Sequence, residues 1–220
     1  MRVALLATTD WRQDIVAARE RGAELICLPH LSFAPYVAAG RDRAGLELAE
    51  RPPSRSLREA LTLAAGAWLA ASAYESEGEG VFYVSAYLAG PDGIATRYRQ
   101  LHLDAEHGRY EQMLWSPGHE PVGIARLPCG PTALLVGADA RQPAVWAALE
   151  AARVVVAGTS EPAQRWDRTR RIAAGMAAAA SFSVLLVNRA EASFGGGVAA
   201  FGPGGEELAP DGDGLYEVVA

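Results

Sequence analysis

The sequence predicts an α/β fold in which helices cover mixed β-sheets, and three observations carry this prediction. First, apolar strands at residues 3–7 and 23–28 flank a helix at 11–21, which is the pattern of a parallel crossover unit. Second, strands at 81–89 and 94–98 are joined by a Gly-Pro-Asp-Gly turn, which is typical of an antiparallel hairpin. Third, half of the residues are hydrophobic, enough for a core between layers. Parallel and antiparallel pairs together indicate a layered α/β or α+β sandwich.

The other elements follow from the same two patterns. Apolar runs that end at Gly or Pro predict strands, and apolar residues three and four apart predict helices. In chain order we expect a loop at 30–53, a helix at 54–65, a strand at 68–74, a polar turn at 75–80, a long surface loop at 103–118, strands at 121–127 and 132–136, a helix at 143–152, a strand at 154–157, an Ala-rich helix at 166–180, a strand at 183–187, and closing strands between 195 and 219.

Length and charge limit the classes of function. A chain of 220 residues without a low-complexity linker predicts a single domain over 1–220. The net charge of −6 and the lack of a basic run disfavour nucleic acid and anionic membranes as partners. No leader pattern and no apolar run of membrane-spanning length is found, so we expect a cytoplasmic protein. Cys27 and Cys129 both lie in or beside apolar segments and predict buried, reduced thiols.

The segment 133–143 is the most informative stretch. An apolar strand ends there in a turn, Gly137-Ala138-Asp139-Ala140-Arg141, and a helix begins near Pro143. Many α/β enzymes hold their nucleophile at such a strand-to-helix elbow, because the turn pushes the side chain into a pocket. Here the elbow offers Gly137, which has no side chain.

Seven pieces of the sequence together resemble the nitrilase, or carbon-nitrogen hydrolase, superfamily. Residues 17–36 are similar to the family's first motif, an apolar strand running into Pro-Glu, and residues 84–103 to its second, Pro-Asp-Gly followed by Arg-Tyr-Arg-Lys-x-His-Leu. Residues 130–143 are similar to its third motif, Cys-Tyr-Asp-x-Arg-x-Pro. Glu111 lies six residues before Pro117-Gly118, as a further glutamate of the family does, and 187–189, 194–196 and 202–208 match its closing strands. The resemblance implies a four-layer α-β-β-α sandwich with mixed sheets. It also implies a homodimer paired across a helical face, for which helix 166–180 is our candidate.

The catalytic residues of the family do not carry over. The resemblance puts His30 at the catalytic Glu position, Gln100 at the Lys position and Gly137 at the Cys position. In the family's chemistry a thiolate attacks carbon, the glutamate transfers protons and the lysine stabilises the oxyanion. Without these groups we expect a catalytically inactive protein, a pseudoenzyme that binds a small molecule or a protein partner.

The same resemblance suggests where a ligand would bind. Besides its catalytic glutamate the family has a second glutamate, and Glu111 matches the position of that second one. We expect a polar cavity there that binds an amide or a carboxylate. Its predicted lining is His30, Gln100, Glu111, Gly137 and Ala138. Asp139 and Arg141 are expected to brace the elbow through hydrogen bonds to backbone, and His102 to support the loop.

A specific interaction is expected inside this cavity. A buried carboxylate without a cation is costly, and His30 is the only titratable replacement in the cluster. We therefore expect His30 and Glu111 to be linked directly, through Gln100 or through water. Direct pairing would raise the pKa of His30.

Two alternatives remain open from the sequence. The first is a hydrolase of carbon-nitrogen bonds with relocated chemistry, in which His30 activates water with Glu111 nearby. The second is a metal site, because His102, Asp104, His107 and His119 fall in one region, although their spacing matches no tight template. Gly195-Gly196-Gly197 lacks the Lys-Ser/Thr of a phosphate loop, and Asp211–Gly214 lacks the spaced carboxylates of a calcium loop. We expect no cofactor.

Overall fold

Two six-stranded sheets stack face to face, and helices cover their outer faces. The computed structural model describes residues 1–41 and 43–219. The predicted α-β-β-α sandwich with mixed sheets is therefore confirmed.

The first sheet contains the strands from the first half of the chain and the last strand. They are β1 (Arg2–Leu5), β2 (Leu25–Cys27), β3 (Trp68–Gly78), β4 (Val81–Gly90), β5 (Gly93–Arg99) and β12 (Tyr216–Glu217), in the order β12-β1-β2-β3-β4-β5. β1, β2 and β3 are parallel, and Val3 pairs with Leu25 while Leu25 pairs with Trp68. β3, β4 and β5 are antiparallel, as the hairpin turn predicts.

The second sheet has a matching arrangement. Its strands are β6 (Ile124–Leu127), β7 (Gly130–Val136), β8 (Val154–Thr159), β9 (Ser183–Asn188), β10 (Val198–Phe201) and β11 (Glu207–Leu208), in the order β11-β10-β9-β8-β7-β6. β7, β8 and β9 are parallel and buried on both faces, which explains their almost unbroken apolar sequences.

Helices cover the two outer faces. Against the first sheet pack α1 (Trp11–Glu20), capped by the Asp10 side chain, and α2 (Arg55–Ala64), capped by Ser54. α4 (Pro143–Ala147) and α5 (Ala163–Ala180) lie near each other, and α5 packs on β9 and β10 of the second sheet. A short helix, α3 (Glu111–Leu114), and three 3-10 segments (Val37–Ala39, Arg43–Leu48 and Gly137–Arg141) complete the described elements.

The helix predicted at 143–152 ends at Ala147, and the one predicted at 166–180 begins at Ala163. Two further differences concern the predicted polar turn and the predicted surface loop, and buried charge explains both. β3 continues to Gly78 through the predicted polar turn, because Glu75 is buried and paired with Arg97 and Arg99 across the sheet. The predicted surface loop at 103–118 contains α3. Several of its polar residues are buried in ion pairs and hydrogen bonds, so its composition does not indicate exposure.

α5 has a mixed outer side. Thr169, Ala173 and Ala177 face the sheet and are buried. Its exposed positions include charged residues in the first half and small residues in the second: Asp167, Arg168, Arg171, Gly175, Ala178 and Ala179. The continuous apolar surface expected for this helix is therefore confined to its C-terminal half. Within residues 1–41 and 43–219, no helix has both the length and the apolar character that crossing a bilayer requires.

Candidate functional site

The residues singled out by the sequence meet at the carboxyl ends of strands. His30 follows β2 after Pro29, Gln100 follows β5, and Gly137 follows β7. The two sheets approach closely here, because a Cβ atom on Gly158 would lie 3.2 Å from backbone atoms of residues 28–30. We call His30, Gln100, Glu111 and Gly137 the elbow centre.

His30 is fully buried and held by one polar contact. Its Nδ1 lies 2.9 Å from the hydroxyl oxygen of Ser160. Arg109 also donates to that oxygen at 3.3 Å, so the Ser160 hydroxyl hydrogen is free to point at Nδ1. The same oxygen can also accept from Nδ1–H, so both neutral tautomers of His30 fit this contact. Nε2 has no hydrogen-bond partner among the described residues.

Gln100 fills the space above the elbow. Its amide nitrogen donates to Glu111 Oε2 at 2.9 Å and to the His102 carbonyl at 2.7 Å. Both partners are acceptors, which fixes the orientation of the amide. A Cβ atom on Gly137 would lie 2.6 Å from Gln100 Oε1, and Gly137 has a φ of 57°. A side chain on residue 137 would therefore force the Gln100 amide to move from its present place.

Glu111 is satisfied by neutral donors rather than by an ion pair. Tyr36 donates its hydroxyl hydrogen at 2.8 Å, the amide of Gln100 donates at 2.9 Å and the backbone N–H of Asp104 donates at 3.0 Å. Burial raises the pKa of Glu111, and the Asp104 N–H and the positive charge of Arg109 oppose that shift only in part.

His30 and Glu111 form no direct pair in the described structure, and of the expected links the contacts support the one through Gln100. The Gln100 amide nitrogen donates to Glu111 Oε2 at 2.9 Å, and the Gln100 side chain acts to raise the pKa of His30, more weakly than burial and two arginines lower it. The expectation that the pKa of His30 is raised is wrong. Burial lowers the pKa of His30 well below its usual value of 6.5, and the positive charges of Arg189 and Arg109 act in the same direction. His30 is therefore a neutral imidazole.

The expected polar cavity at the elbow centre is closed. His30, Gln100 and Glu111 are each at most 1% exposed, and Gly137 and Ala138 are buried. Among the five expected lining residues, only Ala138 borders a described cavity. That cavity lies beside the elbow, has a volume of 490 Å³, and is also lined by Leu101, His102, Leu103, Asp104, Gln112, Trp115, Pro117 and Gln142.

Asp139 braces the elbow as the sequence predicts. Its carboxylate accepts from the backbone N–H groups of Leu101 and His102, both at 2.8 Å. It also accepts from the Tyr98 hydroxyl at 2.6 Å and lies 2.7 Å from His102 Nδ1. His102 thereby supports the loop after β5, as expected. These contacts tie that loop to the turn after β7.

Arg141 acts differently from the prediction. It forms ion pairs with Asp104 at 2.6 Å and with Glu161 at 2.9 Å, rather than hydrogen bonds to backbone. Arg109 also pairs with Asp104 at 2.6 Å. We call these four residues (Asp104, Arg109, Arg141 and Glu161) the ion cluster. Glu161 is fully buried, and burial raises its pKa although Arg141 and Arg109 oppose the shift.

Sequence reasoning missed several residues around the elbow centre. Ser160 and Glu161 directly follow β8, and Arg189 directly follows β9. Arg189 donates to the carbonyl oxygens of His30 and Leu31, and so holds the backbone at these two residues. Their positions in the sequence could have identified them, because polar residues that directly follow neighbouring parallel strands meet at one edge of a sheet.

The histidines considered for a metal site lie in separate environments. His102 contacts Asp139, His107 contacts Tyr110, and His119 lies beside Tyr83. Asp104 is engaged by two arginines. In the part of the chain that the structure describes, no group of three or more His, Cys, Asp or Glu side chains is placed to hold a metal ion.

Comparisons with known proteins agree with this geometry. A sequence model of the family described as carbon-nitrogen hydrolase matches residues 6–214. A carbon-nitrogen hydrolase from Helicobacter pylori G27 is similar in structure, with 20% sequence identity and a TM-score of 0.81, over 100% of this chain and 88% of that chain. A variant of the Nesterenkonia AN1 amidase, from the nitrilase superfamily, has 20% identity and a TM-score of 0.80, over 100% of this chain and 92% of the amidase.

One larger protein also contains a similar unit. The glutamine-dependent NAD+ synthetase from Acinetobacter baumannii has 17% identity and a TM-score of 0.79, and the match covers 100% of this chain but 47% of the synthetase. A search of curated protein sequences returned no match. The family model extends over nearly the whole chain, and the sandwich and the elbow are those that its motifs predict. The chain therefore belongs to the carbon-nitrogen hydrolase family.

Proposed function

We propose that this protein is a non-hydrolytic member of the family, and that it acts by binding rather than by catalysis. The observation that carries the proposal is the Gln100 amide, which lies where a side chain on residue 137 would be. A covalent route needs a nucleophile at the elbow, and Gly137 supplies none. The elbow has lost both the attacking atom and the space for a substrate carbon.

The two cysteines of the chain do not replace the missing nucleophile. Cys27 and Cys129 are both buried in the core. Burial raises the pKa of both thiols, so neither forms the thiolate that attacks carbon. In a Glu-to-Gln variant of the Nesterenkonia amidase, by contrast, acrylamide adds to the active-site cysteine.

The test is a hydrolysis assay combined with intact-protein mass spectrometry. The protein is incubated with a panel of aliphatic and aromatic amides and nitriles, and ammonia release and mass shifts are measured. The Nesterenkonia amidase serves as the positive control. We expect neither ammonia nor an acyl adduct from this protein. Turnover together with an adduct on Cys27 or Cys129 would contradict the proposal.

One observation favours a second candidate, a hydrolase with relocated chemistry. His30 is neutral and its Nε2 is unpaired in the described structure, so the imidazole retains the capacity to exchange a proton. Against this candidate, His30 is fully buried and Glu111 is already bonded to three donors. This candidate would be favoured over the first if the protein hydrolyses a substrate without forming an adduct, and if that hydrolysis is lost in His30→Gln.

Assembly and location are part of the same proposal. We propose a cytoplasmic homodimer in which the small-residue half of α5 contacts a second copy, since Ala178 and Ala179 permit close helix packing. Its ligand would be a small molecule, of the amide or carboxylate type, or a protein partner. Sedimentation velocity at micromolar concentration tests the assembly, and a strict monomer would reject the dimer.

A further inference from the structure

The side chain of Arg109 lies among groups that match a guanidinium ion at each of its three nitrogen atoms. Nε donates to Asp104 Oδ2 at 2.6 Å, one terminal nitrogen donates to the Ser160 carbonyl oxygen at 2.5 Å, and the other donates to the Ser160 hydroxyl oxygen at 3.3 Å. The guanidinium carbon lies 5.4 Å from the centre of the Tyr36 ring, which is within the range of cation–π attraction. We call Tyr36, Asp104 and Ser160 the guanidinium cage.

The segment that carries Arg109 is held to the rest of the protein by charged groups rather than by apolar packing. Residues 105–109, Ala-Glu-His-Gly-Arg, contain no large apolar side chain, form no helix or strand, and are exposed from 105 to 107. Besides Arg109, an ion pair of Glu106 with Arg165 attaches this segment, and the two side chains are 53% and 29% exposed. Such exposed pairs contribute little to stability. The segment, which we call the strap, can therefore open without bringing apolar side chains of its own into water.

The cage itself stays in place when the strap opens. Asp104 precedes the strap and is fixed separately, since its carboxylate pairs with Arg141 at 2.6 Å and its backbone N–H donates to Glu111 at 3.0 Å. Ser160 directly follows β8, and the Tyr36 hydroxyl donates to Glu111 at 2.8 Å. The acceptors that hold the Arg109 guanidinium group thus belong to the body of the protein, and only the cation belongs to the strap.

The surroundings of the cage require a cation. Burial acts to lower the pKa of Arg109, but Tyr36 and three carboxylates outweigh it, and the pKa is raised. The carboxylates are those of Asp104, Glu111 and Glu161. Without Arg109, the described structure leaves them one guanidinium group in ion-pair contact, that of Arg141. Three buried carboxylates beside one cation are unfavourable, so the vacated cage attracts a second cation.

We propose that the guanidinium cage is a binding site for a small alkylguanidinium compound, that the strap is its lid, and that Arg109 fills the site while the lid is closed. The planar group of the ligand donates to Asp104 and Ser160 in place of Arg109. A primary amine carries the same charge on a single nitrogen and does not reproduce this set of contacts. The inference goes beyond the proposed function, because it assigns a cationic ligand to the ion cluster beside the elbow centre.

The first test removes the Arg109 guanidinium group and supplies it again as a separate molecule. Arg109→Ala deletes the side chain beyond Cβ, and ethylguanidinium contains the deleted atoms. Isothermal titration calorimetry measures its binding, with ethylammonium as the probe of equal charge. We expect ethylguanidinium to bind Arg109→Ala about tenfold more tightly than ethylammonium does, and to raise its melting temperature. Equal binding of the two cations, or no binding to folded Arg109→Ala, would overturn the proposal.

The second test leaves Arg109 in place and follows the strap. Hydrogen exchange of the backbone amides is measured by mass spectrometry while ethylguanidinium is added to the unmodified protein. The ligand competes with Arg109, so we expect faster exchange at residues 105–109 and no such change with ethylammonium. If exchange there is still unchanged at about 100 times the Kd measured for Arg109→Ala, the strap does not act as a lid.

Two matched variants show whether the strap controls access. Glu106→Ala removes the ion pair of the strap with Arg165 and should increase the apparent affinity for ethylguanidinium about two- to fivefold. Glu207→Ala is the control, because it removes a pair with Arg170 whose side chains are equally exposed, at 54% and 30%, but which lies outside the strap. It should leave the affinity unchanged. Equal effects of the two variants would overturn the assignment of the strap as the lid.

Discussion

The elbow centre and the ion cluster lie side by side, but they accommodate charge in opposite ways. In the ion cluster, two carboxylates and two guanidinium groups compensate each other at distances of 2.6–2.9 Å. In the elbow centre, the Glu111 carboxylate is held by a hydroxyl, an amide and a backbone N–H, beside a neutral imidazole. Positive charge acts on the centre from outside it: Arg109 of the ion cluster donates to Ser160 beside His30, and Arg189 donates to the carbonyl oxygen of His30.

This difference teaches how a buried carboxylate can be accommodated without a direct ion pair. Hydrogen-bond donors satisfy the lone pairs of Glu111, and Arg109 supplies part of the electrostatic compensation from outside the centre. The same Arg109 donates to Ser160, which contacts His30. The two regions therefore share residues but should respond differently to mutation.

The largest effect is expected in the ion cluster. Arg141→Met should lower the free energy of unfolding by about 3–5 kcal/mol, because it leaves the buried Glu161 carboxylate without the one cation that contacts it in the described structure. Urea denaturation monitored by circular dichroism measures the change. Arg171→Met is the control, since Arg171 is 77% exposed in its pair with Asp167 and should change stability by less than about 1 kcal/mol.

A second substitution sharpens the interpretation. Adding Glu161→Gln to Arg141→Met removes the uncompensated charge and should restore part of the lost stability. If the double variant is as unstable as the sum of the two single ones, the loss reflects packing of the Arg141 side chain rather than charge.

An intermediate effect is expected at the elbow. Gly137→Ala should cost roughly 2–4 kcal/mol, because the new methyl group adds a clash with Gln100 to the strain of a left-handed backbone. Gly80→Ala is the matched control: Gly80 also has a positive φ, of 79°, but a Cβ atom there meets no atom within 4 Å. It should show the backbone cost alone, about 1 kcal/mol. Equal losses at both positions would contradict the interlock between Gly137 and Gln100.

The smallest effect is a change in pH dependence. The pKa of His30 is lowered by folding, so its contribution to stability is complete above the unfolded value of 6.5 and is lost as pH falls towards the folded value. His30→Gln cannot bind this proton. The stability of the unmodified protein relative to His30→Gln should therefore decrease between pH 7 and pH 5.5, by at most about 1.4 kcal/mol per pH unit. A relative increase would mean that His30 is protonated in the fold.

Periodic patterns and punctuating turns were sufficient for most strands and helices, and the resemblance to the family supplied the four-layer arrangement. The same resemblance, rather than a periodic signal, grouped His30, Gln100 and Gly137, each of which follows a strand in the structure. Neither was sufficient for their electrostatics. The direction of the His30 pKa shift depends on Arg109 and Arg189, which come from distant parts of the chain and carry no periodic signal.

The segment after Gln100 shows the same limit. Its composition is that of an exposed loop, yet Asp104 and Arg109 are buried. They are buried because Arg141 and Ser160, 37 and 51 residues away in sequence, provide their partners. Whether a charged residue is buried depends on such partners, and a single sequence does not show which ones meet.

The contact between Gln100 and residue 137 also has a consequence for redesign. A cysteine introduced at position 137 while Gln100 stays in place would put its Cβ atom 2.6 Å from the Gln100 amide oxygen, so the Gln100 side chain would have to move and would give up hydrogen bonds to Glu111 and His102. A design that aims at a thiol in this turn therefore has to choose the residues at positions 100 and 137 together.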